Sequence, residues 1–290
     1  TNISGEYGGP IKKNRLWFWI AGDRQDINVG VLNFFDATQG GLCQQLVDAQ
    51  KAGTLSGLVT FSQLNDVQNC LQNDKTVIKD IQWKFNYQLN ASNKFQYLFQ
   101  SDNKYRNRRG ASASTTVEAT TQQTSDMPKG VGYWGLASPT HSLTHTLIAS
   151  DRLVFNTMFT YVHGGFFLDY QDVPPQGSCA QSRYNASPTA FVNTDPNCLF
   201  NIQPLYNRTT GIVSRSLGSA TTAGGSSGSY DTVRPSWEAK TDATYFVTNT
   251  LGGDHSFKFG AGWRKNPVQT YTHYSGFARP IVQCAGNVQA

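Results

Sequence analysis

Between Ile81 and Asn90 the sequence IQWKFNYQLN alternates apolar or aromatic residues with polar ones at every step. Ile81, Trp83, Phe85, Tyr87 and Leu89 share one side, and Gln82, Lys84, Asn86, Gln88 and Asn90 share the other. A period of two belongs to a β-strand, and a strand with one apolar and one wet side divides an apolar medium from water. That medium is either a protein core or a lipid bilayer.

The 290 residues and 32.0 kDa suffice to bury a core, yet the mean hydropathy is only -0.43. No stretch approaches the roughly 18 to 20 continuous apolar residues of a membrane helix, which excludes an α-helical membrane protein. A membrane β-barrel stays open, because only alternate strand residues are apolar and polar loops dilute the mean. Aromatic content of 12% against 15% charged residues leans the same way. Lysine and arginine outnumber acids 24 to 19, but this +5 is spread along the chain, so nucleic acid is not an expected partner. The opening TNISGEYGG has no initiator methionine, basic n-region or apolar segment, which points to a processed chain or an excerpt of a longer one.

Alternation predicts about seven strands: Asn14 to Arg24, Thr76 to Asn90, Asn93 to Arg108, His141 to Ser150, Arg152 to Tyr170, Arg234 to Asn249 and His255 to Tyr274. Asn90 to Asn93, Ser150 to Arg152 and Thr250 to Asp254 read as tight hairpin turns from their Asn, Asp and Gly chemistry. The other connections, Asp26 to Lys75, Gly110 to Thr140 and Gln171 to Pro235, are long, roughly thirty to sixty residues each. Short turns at one end and long loops at the other are the layout of outer-membrane barrels.

The later strands repeat the two-sided pattern. Phe95, Tyr97 and Phe99 alternate with Gln96 and Gln100, with Leu98 breaking the polar side; Leu153, Phe155, Phe159 and Tyr161 share a side with Thr157. Trp237, Ala239, Ala243, Tyr245 and Val247 oppose Glu238, Lys240 and Asp242; Phe257, Phe259 and Trp263 oppose Lys258 and Arg264. Such charges cost several kcal/mol each in a dry core unless paired, and little in a water-filled lumen. The expected fold is therefore all-β: part of an antiparallel up-and-down transmembrane β-barrel with short periplasmic turns and long extracellular loops. Lys84, Glu238, Lys240, Asp242, Lys258 and Arg264 are expected to face the lumen. Ile81, Trp83, Phe85, Tyr87, Leu89, Phe95, Tyr97, Phe99, Phe257, Phe259 and Trp263 are expected to face lipid.

Cys43, Cys70, Cys179, Cys198 and Cys284 include no C-x-x-C pair and no histidine at zinc-ligand spacing. They read as disulfides of an oxidising compartment, most simply Cys43 with Cys70 and Cys179 with Cys198, both in long loops. Cys284 is left over, with a partner expected beyond Ala290. A short helix is expected in GGLCQQLVDAQKAG, and a flexible tract in SATTAGGSSGSY.

GGPIKKNRLWFWIAGDR resembles the segment that opens the first barrel strand of TonB-dependent transporters, particularly large receptors similar to the myxobacterial Oar protein. WKFNYQLNASNKF, FTYVHGGFFLDYQDV and WEAKTDATYFVTNTLGGDHSFKFGAGWR resemble hairpins of the same receptors. The resemblance implies a barrel of about 22 strands, plugged by an N-terminal domain and energised by TonB in the bacterial outer membrane. It makes residues 1-290 an incomplete barrel domain, its start matching the end of the plug and about fifteen strands missing after Ala290.

Chemical motifs add little. Gly130 to Gly135 fits G-x-G-x-x-G without a preceding strand or following helix, and Gly224 to Gly228 fits G-x-S-x-G in a low-complexity loop. His141 and His145 would lie about 13 Å apart on a strand and cannot share one metal. No carboxylate pair or nucleophile-base set stands out, so no catalytic residue, cofactor or metal is expected. Lys104, Arg106, Arg108 and Arg109 form either a solvated loop base or a rim for lipopolysaccharide phosphates. Trp17, Trp19, Tyr161, Tyr170, Trp237 and Trp263 are either girdle residues or core aromatics. Asn90, Asn185 and Asn207 begin sequons read as coincidental. The expected function is energised uptake of a scarce solute. The rival is a secreted β-rich binding or adhesion protein recognising carbohydrate through Tyr170, Tyr184 and Tyr206.

Overall fold

The computed structural model describes residues 1–36, 40–52, 54, 64–112, 117, 120–125, 139–171, 178–179, 198, 205–207, 212–214, 228–250, 252–274, 281–284 and 287–289. The G-x-G-x-x-G run, Tyr184, Asn185 and most of SATTAGGSSGSY lie outside these residues. The side chains of Tyr206, Asn207 and Cys284 lie outside them too.

Long antiparallel strands dominate. β1 (Asn2–Lys12) and β2 (Leu16–Phe35) form a hairpin. β3 (Leu71–Asn90) and β4 (Asn93–Arg109) form a second, β6 (Thr140–Ser150) and β7 (Leu153–Asp169) a third, and β10 (Gly228–Thr250) and β11 (Gly253–Lys265) a fourth. Short β5 (Thr121–Thr124) lies between β4 and β7 above the end of β6, and β12 (Gln269–Tyr274) pairs with the start of β10. β8 (Leu205–Asn207), β9 (Ile212–Ser214), β13 (Ile281–Cys284) and β14 (Asn287–Gln289) make a separate small sheet.

The main sheet is an up-and-down ribbon in which each long strand pairs with its predecessor, and among the described residues it does not close: β1 forms one edge, and β11 with β12 the other. All four tight turns lie at one end. Turn chemistry explains them: Asn90 Oδ1 accepts from the Ser92 amide at 3.0 Å, and Asn14, Asn249 and Gly252 take the left-handed backbone that asparagine and glycine tolerate.

Several boundaries differ from expectation. The segment Asn2 to Lys12, matched by resemblance to the end of a plug, is a full strand of the sheet. Four residues that normally interrupt strands, Gly5, Gly8, Gly9 and Pro10, mask it in the sequence; an edge strand tolerates a proline that cannot donate. β2 runs to Phe35 and β3 starts at Leu71, so the first long connection is shorter than Asp26 to Lys75. His255 to Tyr274 is two strands rather than one, broken around Pro267.

A cluster of buried apolar residues lies under this first connection, at the far end of β2 and β3. Phe35, Cys43, Leu46, Val47 and Cys70 pack together, with Leu42, Val67 and Leu71 against them. Helix α1 (Gly41–Ala52) supplies Cys43, Leu46 and Val47 at helical spacing, and α2 (Leu64–Cys70) supplies Val67 and Cys70. The Cys43–Cys70 disulfide ties the two helices, and a Cys179–Cys198 disulfide ties the third long connection, both as expected.

Candidate functional site

The register sorts side chains by face. Opposed residues Tyr7, Ile20, Trp83, Phe99, His141, Tyr161, Trp237 and Lys265 run across all eight long strands on one face. One residue along each strand, Gly8, Trp19, Lys84, Leu98, Ser142, Thr160, Glu238 and Arg264 run across the other. Alternation then carries the rest of each strand with it. Ile81, Trp83, Phe85, Tyr87, Leu89, Phe95, Tyr97, Phe99, Phe257, Phe259 and Trp263 share the aromatic face, and Lys84, Glu238, Lys240, Asp242, Lys258 and Arg264 share the polar one.

Among the described residues no second layer covers the aromatic face. Phe159, flanked by strands on both sides, is still 47% exposed, and Phe257 is 54% exposed. Phe99, at 2%, is covered by its own face: Trp83 stacks on it at 3.9 Å, and His141 meets it edge-on at 5.1 Å. The histidines of this face are spent on neighbours. His141 Nδ1 lies 2.8 Å from the Tyr97 hydroxyl, and His145 Nε2 lies 2.9 Å from Asn93 Oδ1 while its ring stacks on Phe95.

The polar face is laid flat. Arg264 donates to Glu238 Oε2 at 2.7 Å directly across β10 and β11. A Cβ at Gly260 would meet Asp242 Oδ1 at 2.5 Å, and one at Gly262 would meet the Lys240 Cβ at 3.3 Å. These glycines make room for the opposite charged side chains. No group of three or more potential metal ligands occurs among the described residues.

Trp17 and Trp19 are misplaced by the girdle reading. Leu16 to Ile20 is apolar at every position, so alternation gives no face; register puts Trp19 opposite Lys84, on the polar side. Its indole donates to Glu6 Oε2 at 3.1 Å, beside a shallow hollow of about 450 Å³ along β1 and β2. Tyr161 and Trp237 do neighbour each other on the aromatic face, 5.4 Å apart. Tyr170 is 1% exposed with Gln122 donating to its carbonyl, so it can neither line a girdle nor stack on a sugar.

The basic cluster is not one rim. Lys104 and Arg106 alternate onto the polar face, where Arg106 pairs with buried Asp74. Arg108 donates to the Asn73 carbonyl at 2.9 Å, and burial lowers its affinity for a proton. Arg109 lies beyond a register irregularity.

A row the sequence reading missed runs across the polar face: Asp23, Asp80 and Asp102 oppose one another on β2, β3 and β4, one residue past the apolar run that begins at Ile81. Directly opposed like charges destabilise a sheet.

No protein-family model and no curated protein matches this sequence. Among solved structures the chain is similar to the outer membrane transporter YddB from Escherichia coli, with a TM-score of 0.53 and 10% sequence identity. The match covers 99% of this chain and 28% of that one. The main sheet therefore has the fold of part of an outer-membrane transporter's β-barrel.

Proposed function

We propose that this chain forms part of the wall of a TonB-dependent receptor in a bacterial outer membrane, taking up a scarce solute with energy drawn from TonB. The single observation that carries the reading is the bare aromatic face of a long sheet whose reverse is charged. Water would leave that much apolar area uncovered, whereas hydrocarbon stabilises it by about 25 cal/mol per Å². Charged Lys84, Glu238, Lys240, Asp242, Lys258 and Arg264 then face a hydrated lumen and the plug domain packed within it. The fold likeness to a transporter barrel supports the same reading.

All four tight turns would be periplasmic. The long connections, with their two disulfides, would be extracellular and would capture the solute. The α1–α2 knob, packed around its own apolar cluster and tied by a disulfide, would belong to that capturing surface. Energy enters through the plug, so no residue here is assigned a catalytic step.

Fractionation tests the reading against a secreted binding protein. Outer membranes holding the intact receptor are washed with urea, then extracted with detergent. The receptor is expected to resist the wash and appear only in detergent; release by urea alone would favour the secreted protein.

A further inference from the structure

Three dipeptides stand side by side where the apolar run ends: Asp23-Arg24 on β2, Lys79-Asp80 on β3 and Asp102-Asn103 on β4. Register opposes Asp23 to Asp80 and Asp80 to Asp102; it also opposes Arg24 to Lys79 and Lys79 to Asn103. Consecutive residues project to opposite faces. The sheet is thus polarised at this level, with three acids on the polar face and two cations and an amide on the aromatic face.

The cationic row sits two rungs beyond Ile20, Trp83 and Phe99, after Gly22, Ile81 and Ser101. Arg24 and Lys79 lie eight and eleven residues from the tight-turn ends of their strands at Leu16 and Asn90. At about 3.3 Å per residue and a tilt of about 40°, that is roughly 20–28 Å, the top of an apolar band about 25 Å tall. Both side chains are exposed, and two cations facing each other weaken a sheet unless an anion lies between them. Asp26, on the same face, pairs with Arg24 at 3.0 Å. Lys75, farther along β3, adds one more positive charge to this face.

We propose that Arg24 and Lys79, with Asn103 beside them, hold a phosphate of lipid A, the phosphorylated and acylated disaccharide that anchors lipopolysaccharide in the outer leaflet. The inference rests on the membrane orientation proposed above. With Nε and one Nη donating to the Asp26 carboxylate, Arg24 offers its remaining guanidinium N–H groups to the phosphate, and Lys79 offers a point charge. A doubly negative group between them turns their repulsion into attraction. The acyl chains would lie down the face over Ile81 and Trp83. Charge sorting by face directs the anion outwards, since the reverse side at the same level presents Asp23, Asp80 and Asp102.

The test is titration of the intact receptor in detergent with purified bisphosphorylated lipid A, read by native mass spectrometry. Arg24→Gln with Lys79→Gln is expected to weaken binding about tenfold or more. Arg24→Lys should keep more affinity than Arg24→Gln, because charge is retained while the fork is lost. Lys104→Gln, on the opposite face, should bind as the wild type does, and dephosphorylated lipid A should bind the wild type as weakly as the double variant binds lipid A. A double variant recovered from outer membranes in wild-type amounts that still binds lipid A with wild-type affinity would overturn the proposal and leave the barrel reading intact. Equal binding of the dephosphorylated lipid would do the same. Recovery of the receptor from the soluble fraction would overturn both.

Discussion

Phe159→Arg is expected to destabilise the inserted protein by about 2–4 kcal/mol, the cost of a cation at the middle of a barrel's lipid face. Phe159 is six residues above Leu153 on β7, between Leu143 and Ala239, with nothing of the described chain over it. Thr160→Arg, one residue on, would place the same side chain on the polar face opposite Glu238, where it is expected to cost less than about 1 kcal/mol. Urea unfolding of the intact receptor in lipid vesicles gives both values. A soluble β-protein reverses the reasoning: an arginine at an exposed position costs little wherever it points, so equal effects would count against the bilayer.

The strands from Ile81 onwards were legible because half of each lies against one medium and half against another, and period two records that contrast. Where the contrast fails, so does the reading. β1 is diluted by Gly5, Gly8, Gly9 and Pro10; β5 is Thr-Gln-Gln-Thr, with no apolar side at all. Leu16 to Ile20 is apolar throughout, so nothing in the strand says that Trp19 turns towards Lys84 and Glu6 rather than towards Trp83. That depends on register, which belongs to pairs of strands. The same limit hid the charged rows: Asp23-Arg24, Lys79-Asp80 and Asp102-Asn103 are unremarkable singly, and only alignment across β2, β3 and β4 sorts their charges by face. The basic run from Lys104 to Arg109 misled for the converse reason. It is contiguous in sequence, but alternation turns Lys104 and Arg106 onto the polar face, and Asp74 and the Asn73 carbonyl engage Arg106 and Arg108.

Removing the first disulfide, by Cys43→Ser with Cys70→Ser, is expected to open the α1–α2 knob without unfolding the sheet. Cys43 and Cys70 are 27 residues apart, and closing a loop of that size contributes about 3–4 kcal/mol in the chain-entropy description. The knob's small cluster of Phe35, Leu46 and Val47 then has little else to hold it. Trypsin cleavage after Lys51 on α1 should accelerate about a hundredfold, while the sheet keeps its detergent-resistant form. A knob equally resistant with and without the disulfide would show that apolar packing alone maintains it. If the knob takes part in capture, solute uptake should fall with its order.

The most direct test of the bilayer assignment is a nitroxide scan from Gln82 to Leu89 in the intact receptor, reconstituted in bilayers, with collision rates measured for oxygen and for a water-soluble nickel chelate. Labels at Trp83, Phe85, Tyr87 and Leu89 are expected to meet oxygen preferentially and labels at Gln82, Lys84, Asn86 and Gln88 the chelate or neither, giving an oxygen profile of period two. Chelate access at Phe85 and Tyr87 equal to or greater than that at Lys84 and Asn86 would contradict it.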